Sequence, residues 1–394
     1  MTPPARLSAA IDILDRILTG AAAELALTQW GRANRFAGSG DRFAIRDLVF
    51  EALRRKRSLA ALGGGATGRG LILGLMRQQG ADLAALFTGI GHAPAVITAA
   101  DIGHTPSKLE ALDCPDWLGP QLQSALGGNF AAVMTAMQSR AQVFLRVNLA
   151  KTSAAGAQQA LANEAIVTRT DPGCPTALEV VENQRKINMS QAYLQGFVEL
   201  QDISSQAVVL DMPLIAGQKV LDFCAGGGGK TLAMAGRVAA RFYAHDHHPQ
   251  RMKDLPERAK RAGAKVTLMT DPATQAPYDV ILCDVPCSGS GSWRRDPQGK
   301  WALTPQKLTE ICKIQADILD RAAGLLQPQG VLVFATCSLL REENEDQITA
   351  FLQRHSGWDC KGSKRYDLWD RGDGFFGAHL SRKPRGNGGS DRDG

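Results

Sequence analysis

The chain has 394 residues, of which 44% are hydrophobic and 21% are charged, and its formal net charge is +6. This is the composition of an ordinary soluble protein, and the length predicts two to three domains that each bury a core. The mild positive charge is equally compatible with a polyanionic partner and with a slightly basic enzyme that has none. Eight cysteines without disulfide-framework spacing, and without any Cys-x-x-Cys pair, exclude a disulfide scaffold and argue against a zinc cluster.

Two further features of the sequence bear on location. The N-terminus shows no apolar signal region, and no stretch reaches the roughly 18 apolar residues of a membrane span. We therefore expect a cytoplasmic protein with neither a membrane nor a metal partner. In that reducing compartment, free thiols are available as nucleophiles.

Residues 1–135 are predicted to form a helical domain. Apolar residues fall at helical spacing from Leu7 to Leu18 and from Ile45 to Leu53, and short helices interrupted by Gly and Pro follow as far as Thr135. The second apolar helix ends in the basic cluster Arg-Arg-Lys-Arg at 54–57. Such a cluster is typical either of a solvated helix end, where the macrodipole favours cations, or of a contact with nucleic-acid phosphates.

A small α/β module is predicted for residues 136–190. Apolar residues alternate from Val143 to Leu149, which indicates a strand. A helical stretch at 154–165 and a second extended segment at 166–170 follow it. This module separates the helical region from the rest of the chain.

Residues 191–384 are predicted to form a domain of the α/β class. Apolar strands alternate there with helices of ten or more residues, which implies a largely parallel, doubly wound, Rossmann-like sheet. The predicted strands are 219–224, 241–245, 265–269, 278–283 and 331–335, and the predicted helices are 230–240, 250–262 and 305–326. The last residues, 385–394, are small and polar, and we expect them to be disordered.

The first strand of this domain runs into a turn of four glycines, Gly226–Gly229, followed by Lys230 and Thr231. The run misses the P-loop spacing by one residue and fits a dinucleotide fingerprint only loosely. Glycines still permit close approach to the backbone, and the following helix N-terminus offers N–H groups to an anionic group such as a carboxylate. A cation is unfavourable beside a helix N-terminus, so Lys230 is expected to have a functional role.

An aspartate stands at the end of each of four predicted strands. Asp246 occupies the position from which an acid binds ribose hydroxyls, and Asp271 is placed to receive an adenine. Four acids suit S-adenosylmethionine better than a dinucleotide, because its sulfonium is cationic and it has no pyrophosphate; the alternative is that each aspartate only caps the following helix. The predicted cofactor-binding residues are Asp222, Cys224, Ala225, Gly226, Gly227, Gly228, Gly229, Lys230, Asp246, Arg251, Asp271 and Asp284.

Two cysteines also follow predicted strands. Cys287 lies in the segment Asp-Val-Pro-Cys-Ser-Gly-Ser-Gly that begins at Asp284, and Cys337 lies in Thr-Cys-Ser. Ligands sit outside the carboxyl ends of the strands of an open α/β sheet, so these three side chains are expected to face one cleft. Most cysteines pack as small hydrophobes, but strand-end placement beside Asp and Ser-Gly favours a chemical role for this pair.

These segments together resemble the Nop/Sun family of RNA 5-methylcytosine methyltransferases, to which RsmB belongs. The resemblance spans roughly residues 140–383. The matching motifs are Gln201-Asp202 with Ser205-Gln206, Asp222–Thr231, Asp284–Gly291, Arg294-Arg295-x-Pro297, Lys300-Trp301, Thr336–Ser338, Glu343–Glu345 and Gly374–Phe376. One departure is the glycine pair Gly226-Gly227, where the family usually has Ala-Pro. The helical N-terminal part resembles the NusB-like RNA-binding extension of RsmB.

The resemblance implies a mechanism with two cysteines. Cys337 would add to carbon 6 of cytosine, Asp284 would hydrogen-bond the base, and Cys287 would help to remove the carbon 5 proton and release the enzyme. A one-cysteine scheme, as in DNA cytosine methyltransferases, would instead place the nucleophile at Cys287. The base must leave any helix to be reached. Candidate substrate-RNA residues are Pro286 and Phe376 as walls for the base, with Arg294, Arg295, Lys300 and Trp301 for backbone contact and stacking.

The sequence therefore predicts a monomeric S-adenosylmethionine-dependent RNA (cytosine-5) methyltransferase that acts on rRNA. A tRNA is the second candidate substrate. Two alternatives come from other classes of protein. One is a non-catalytic RNA-binding or ribosome-assembly factor on the same fold; the other is an exocyclic-amine or ribose methyltransferase, which would need no strand-end cysteines.

Overall fold

A computed structural model describes residues 1–367 and 371–384, so the predicted tail at 385–394 lies outside the described residues. The chain forms two compact units. The helical unit comprises Met1–Ala141 together with Ser292–Pro305, and the α/β unit comprises Gln142–Gly291 together with the chain from Gln306 onward. The segment Ser292–Pro305 follows the Cys287 motif in sequence but belongs to the helical unit.

The helical unit buries an apolar core that includes Ile13, Leu14, Ile45, Leu53 and Leu71, as the helical spacing of apolar residues predicts. Its α-helices are Pro3–Leu18, Ala23–Ala33, Ser39–Arg54, Lys56–Gly63, Gly68–Gln78, Leu83–Leu86, Lys108–Ala111, Gly119–Leu126, Phe130–Ala136 and Pro297–Ala302. Within the described ranges, no single helix is long and apolar enough to cross a membrane; only the consecutive helices Lys56–Gly63 and Gly68–Gln78 reach that length together, and they are bent by 87°.

The basic cluster at 54–57 is engaged inside the helical unit. Arg54 Nε donates to the Arg294 carbonyl at 2.7 Å, and Arg55 pairs with Glu51 at 3.1 Å. Arg57 pairs with Asp116 at 2.7 Å, while the Lys56 ammonium lies 5.4 Å from the centre of the Trp301 ring. These contacts favour the structural interpretation of the cluster over phosphate binding.

The α/β unit begins with a four-stranded antiparallel sheet. Its strands are β1 (Phe144–Val147), β2 (Val167–Asp171), β3 (Cys174–Glu182) and β4 (Val198–Leu200), in the order β2-β3-β1-β4. The α-helices Ala154–Ala162 and Gln191–Leu194 accompany it. Strand β4 lies beyond residue 190, the predicted end of the small module.

The second sheet has seven strands and carries the cavity described below. Its strands are β5 (Lys219–Asp222), β6 (Arg241–His245), β7 (Val266–Met269), β8 (Tyr278–Asp284), β9 (Leu326–Thr336), β10 (Trp358–Asp367) and β11 (Gly374–Arg382), in the order β10-β11-β9-β8-β5-β6-β7. Strands β5 to β9 are parallel, and β11 is antiparallel to both β9 and β10. The α-helices are Ile203–Leu210, Gly229–Ala235, Leu255–Ala262, Pro305–Leu325 and Glu345–Arg354. The predicted α/β class with a mostly parallel sheet is confirmed.

Candidate active site

A cavity of about 1000 Å³ opens in the α/β unit at the carboxyl ends of β5, β6, β8 and β9. Because these strands are parallel, their carboxyl ends lie at one edge of the sheet and bring together side chains from segments far apart in sequence, as expected of a doubly wound sheet. The cavity is lined by nine of the predicted cofactor residues, namely Cys224, Ala225, Gly226, Gly227, Gly229, Lys230, Asp246, Arg251 and Asp284, and also by Pro286, Cys287 and Cys337.

The glycine turn has a backbone that side chains would strain. Gly226 and Gly228 have φ of 51° and 79°, in the left-handed region that favours glycine. A Cβ at Gly228 would lie 2.1 Å from Leu255 Cδ1, which is closer than real carbon atoms approach. Asp246 Oδ2 accepts from the Gly226 N–H at 2.9 Å, so the end of β6 fixes the turn that follows β5.

Two arginines hold the carbonyls of this turn. Arg258 donates from Nη1 to the Gly227 carbonyl and from Nη2 to Glu199 Oε2 at 2.7 Å. Arg146, which is buried on β1, donates to the Gly229 carbonyl at 2.8 Å and also to Gln201. The four-stranded sheet thus supplies side chains that stabilise the glycine turn.

Asp222 lies beneath the turn rather than in the cavity lining. It is 1% exposed, its Oδ2 accepts from Thr231 Oγ1 at 2.6 Å, and its Oδ1 has no hydrogen-bond partner. Burial raises its pKa to about 7, although the Thr231 hydroxyl opposes that shift. A buried carboxyl with one unpaired oxygen is a site prepared for a proton or a cationic ligand group.

Lys230 and Asp284 form an ion pair at the cavity, with Nζ and Oδ2 separated by 2.8 Å. The ammonium also lies 4.8 Å from the centre of the Phe375 ring. Burial alone would lower the pKa of Lys230, but the Asp284 carboxylate outweighs it and raises that pKa above its usual value. The lysine therefore stays charged and fixes one oxygen of Asp284.

The two predicted catalytic thiols meet at the same cavity. Cys287 Sγ lies 3.3 Å from Cys337 Sγ, although the two residues are 50 positions apart in the chain. The parallel pairing of β8 and β9, in which Asp284 lies opposite Ala335, brings both strand ends to one edge. The hydrogen bond to Cys337 and burial raise the pKa of Cys287 well above its usual range.

Eight predicted site residues do not line the cavity, and four of them belong to the α/β unit. Asp271 is exposed and accepts from the Ala273 N–H at 3.0 Å, so it caps a short helical turn, the alternative weighed from the sequence. Phe376 is 1% exposed and packs edge-on against Phe334, while its neighbour Phe375 lines the cavity. Successive strand residues point to opposite faces, so Phe375 faces the cavity while Phe376, the predicted wall, packs in the core of the sheet. Asp222 and Gly228 lie behind the lining.

The predicted RNA-contact residues at 294–301 belong to the helical unit. Arg294 and Lys300 are 3% and 1% exposed, and Lys300 Nζ donates to the Arg54 carbonyl at 3.2 Å. The Trp301 indole donates to the Leu53 carbonyl at 2.6 Å. Arg295 is exposed. Arg294 and Lys300 are thus buried within the helical unit, and the RNA contact expected at 294–301 stays a prediction.

Sequence reasoning missed several residues at the cavity. Arg258 reaches it from a helix and carries no local signal, whereas Phe375 reaches it from β11 and lies in the Gly374–Phe376 motif, of which only Phe376 was predicted to face the base. Gln201 and Ser205 line it and are joined by a hydrogen bond of 3.1 Å; the Gln201-Asp202 and Ser205-Gln206 motif does not by itself indicate a place at the cavity. Within residues 1–367 and 371–384, no three His, Cys, Asp or Glu side chains are grouped to hold a metal ion.

Two family models match the chain. Residues 208–378 match 16S rRNA methyltransferase RsmB/F, and residues 114–187 match the ferredoxin-like domain of RsmF/B-like methyltransferases. The chain is also 32% identical to ribosomal RNA small subunit methyltransferase B of Photorhabdus laumondii and 34% identical to that of Salmonella typhi, each over 286 residues. The chain belongs to the RsmB/F methyltransferase family. The matched region covers 68% of this chain and 66% of each relative.

Solved structures share the fold. The crystal structure of PH0851 has a TM-score of 0.75 and 21% identity, covering 97% of this chain and 99% of that one. The structure of NSun6 from Pyrococcus horikoshii with SFG has a TM-score of 0.60 and 18% identity, covering 68% and 98%. RsmB/F membership confirms the predicted methyltransferase family and supports S-adenosylmethionine as the cofactor.

Proposed function

We propose that this RsmB/F-family protein transfers a methyl group from S-adenosylmethionine to carbon 5 of a cytosine in small-subunit rRNA. The observation that carries the proposal is the 3.3 Å separation of Cys287 and Cys337 at the edge of a cavity that also holds the glycine turn. An exocyclic-amine or ribose methyltransferase has no need for two thiols at this position. The names of the relatives favour rRNA as the substrate.

The residues of the cavity suit S-adenosylmethionine. The cavity of about 1000 Å³ is large enough for the nucleoside of the cofactor together with part of the substrate base. Its glycine turn presents a helix N-terminus that begins at Gly229. Asp246 and Arg251 would hold the ribose end, and the unpaired oxygen of Asp222 lies beneath the turn. When bound, the cofactor supplies an electrophilic methyl group.

Cys337 would activate the base. Its thiolate adds to carbon 6 of cytosine and forms a carbon–sulfur bond, and the electrons of the 5,6 double bond then become available at carbon 5. Asp284 would accept a hydrogen bond from the exocyclic amine next to ring nitrogen 3, which holds the base beside Cys337. Lys230 holds the carboxylate in place from its other side.

Cys287 would complete the reaction by removing the carbon 5 proton. The 5,6 double bond then re-forms, and Cys337 leaves as a thiolate. In the free enzyme, the hydrogen bond to Cys337 is the largest cause that raises the pKa of Cys287. Once Cys337 is bonded to carbon, that cause is removed, so Cys287 releases its own proton to solvent more readily and the resulting thiolate accepts the carbon 5 proton.

The test uses purified full-length protein, radiolabelled S-adenosylmethionine, and small-subunit rRNA or tRNA from a strain that lacks the gene. We expect methylation of rRNA at one cytosine, located by bisulfite sequencing. Cys337→Ala should abolish transfer while retaining cofactor binding. Cys287→Ala should accumulate a covalent protein–RNA adduct on denaturing gels.

Cys360→Ala provides the matched control, because Cys360 lies on β10 away from the cavity. Accumulation of adduct by Cys337→Ala instead would exchange the two roles. Methylation of tRNA rather than rRNA would change the substrate, and cofactor binding without any transfer would make the protein a non-catalytic RNA-binding factor.

A further inference from the structure

One buried carboxylate is hydrogen-bonded to both loops that carry the thiols. Glu343 is 0% exposed and ends a helical turn, Arg341–Glu343, that follows the Cys337 loop. Its Oε1 accepts from the Ser288 N–H at 2.7 Å, and its Oε2 accepts from Ser288 Oγ and Ser338 Oγ, both at 2.5 Å. Ser288 follows Cys287 in the chain, and Ser338 follows Cys337.

Burying the Glu343 carboxylate costs free energy, which indicates that this side chain has a specific role. A carboxylate removed from water is destabilising unless hydrogen bonds replace its hydration. Glu343 receives four such bonds, the fourth from Gln315 Nε2 at 3.1 Å, and all four donors are neutral groups. An apolar side chain would fill the space without that cost but would not connect the two loops.

A further hydrogen-bond network fixes the same two loops. Ser290 Oγ lies 3.0 Å from Ser338 Oγ, and the Gly291 N–H donates to the Cys337 carbonyl at 2.9 Å. Asn344, next to Glu343, accepts from Thr336 Oγ1 at 2.5 Å and donates to the Ser338 carbonyl at 2.8 Å, so it bonds on both sides of Cys337. Within this network, Glu343 and Ser290 each bond to both serines adjacent to the thiols, and Glu343 is the acidic one of the two.

We propose that Glu343 is a positioning residue that keeps the Cys287 and Cys337 sulfurs within reach of the same cytosine ring. The proposal rests on the proposed two-cysteine reaction. A glutamine at this position keeps the shape but removes the charge, and with its N–H₂ group in place of Oε2 the Ser288 and Ser338 hydroxyls would have to accept where they now donate. The hydrogen bond to Cys337 and burial raise the pKa of Cys287 most, and the negative charge of Glu343 adds to that shift.

The experiment measures the rate at which the two thiols are cross-linked, which depends on their separation, and the turnover of the same variants. Dibromobimane becomes fluorescent when it alkylates two neighbouring thiols, so it is applied to the wild type and to Glu343→Gln. We expect cross-linking at least tenfold slower in Glu343→Gln, with kcat reduced about 10- to 100-fold and KM for RNA within twofold. Glu342→Gln is the matched control: it removes an adjacent acid that has no contact with either serine, and we expect it to behave as wild type.

A second variant covers the case in which Glu343→Gln fails to fold. Ser338→Ala removes a single hydroxyl and should slow cross-linking in the same direction. Combining it with Glu343→Gln should add little, because both substitutions break one shared contact. Wild-type rates of cross-linking and turnover in a folded Glu343→Gln protein would overturn the proposal.

The thiol measurement separates this inference from the proposed function. Cross-linking requires neither RNA nor cofactor, so it reports on the two loops even if the enzyme methylates nothing. Loss of cross-linking in Glu343→Gln, combined with an inactive wild type, would refute the reaction while retaining the positioning role. Normal cross-linking in Glu343→Gln, combined with an active wild type, would refute the positioning role of Glu343 and leave the proposed reaction intact.

Discussion

Lys230 Nζ lies 2.8 Å from Asp284 Oδ2, and this ion pair is largely withdrawn from solvent: the two side chains are 9% and 29% exposed. A charge-assisted hydrogen bond in such a position contributes roughly 1.5–3 kcal/mol. The pair links the helix that follows the glycine turn with the end of β8. It therefore connects the proposed cofactor and cytosine sites.

Lys230→Met should reduce kcat about 10- to 100-fold, because Asp284 would lose the cation that holds its Oδ2. We expect the KM for RNA to change less than kcat. Steady-state kinetics with labelled cofactor provides the measurement, and Lys253→Met, at an exposed lysine, is the control. An unchanged kcat in Lys230→Met would show that Asp284 is held by other contacts.

The pKa of Asp222 leads to a prediction about stability and pH. This pKa is about 7 in the folded protein, compared with an ordinary value of 3.8. Between these values the folded state binds a proton that the unfolded state has lost, so stability falls as pH rises from about 4 to 7. The slope for one proton is roughly 1.4 kcal/mol per pH unit.

Asp222→Asn should remove this contribution, because asparagine resembles the neutral acid and still accepts from Thr231. Urea denaturation at several pH values gives the slope for the variant and for wild type. We expect the variant to gain stability relative to wild type as pH rises from 4 to 7. Asp254→Asn, at an exposed acid, should follow wild type throughout. If the free energy of unfolding depends on pH in the same way for Asp222→Asn and for wild type, the folded protein does not hold a proton on Asp222 in this pH range.

The part of the sheet that the sequence predicts is the part with a strong apolar pattern. Strands β5, β8 and β9 contain buried runs of Val, Ile, Leu and Phe, β6 contributes the buried Phe242 and Ala244, and the ends of these strands carry residues predicted for the site. Strand β10 was not predicted, since its sequence, WDCKGSKRYD, is mostly polar and its residues are largely exposed. It is an edge strand, where polar residues are tolerated.

Long-range pairing accounts for the site residues that the sequence did not predict. Strand β11 inserts between β9 and β10, with Phe376 opposite Thr336, and this register directs Phe375 toward the cavity. Nothing in the local sequence distinguishes the two phenylalanines. Glu343 was recognised within a motif, yet its role depends on two serines that lie 55 and five positions away. Such contacts are fixed by topology rather than by spacing.

Arg258→Met should weaken cofactor binding by loosening the glycine turn. Arg258 donates to the Gly227 carbonyl, and Glu199 holds the guanidinium from its other edge. A lost hydrogen bond of about 1 kcal/mol corresponds to roughly a fivefold increase in Kd for S-adenosylmethionine, measured by calorimetry. The effect should be evident because glycine occupies position 227, where the family usually has a stiffer proline.

Arg241→Met is the matched control for this variant, since Arg241 is exposed on β6 and lies outside the lining of the cofactor cavity. It should bind cofactor with wild-type affinity. An unchanged Kd in Arg258→Met would mean that Asp246 and Arg146 suffice to hold the turn. A loss of secondary structure in the variant would instead assign Arg258 to folding.

Lys300 distinguishes a structural role from RNA contact. Burial lowers its pKa to about 8, although Asp113 opposes that shift. Between pH 8 and its ordinary value of 10.5 the unfolded state binds a proton that the folded state lacks, so stability rises with pH in that window. Lys300→Met should abolish this rise while leaving the salt dependence of RNA binding unchanged. Arg295→Met, at an exposed neighbour, is the comparison, because loss of a phosphate contact reduces the salt slope by about one. A reduced salt slope in Lys300→Met, measured by filter binding, would show that Lys300 contacts RNA.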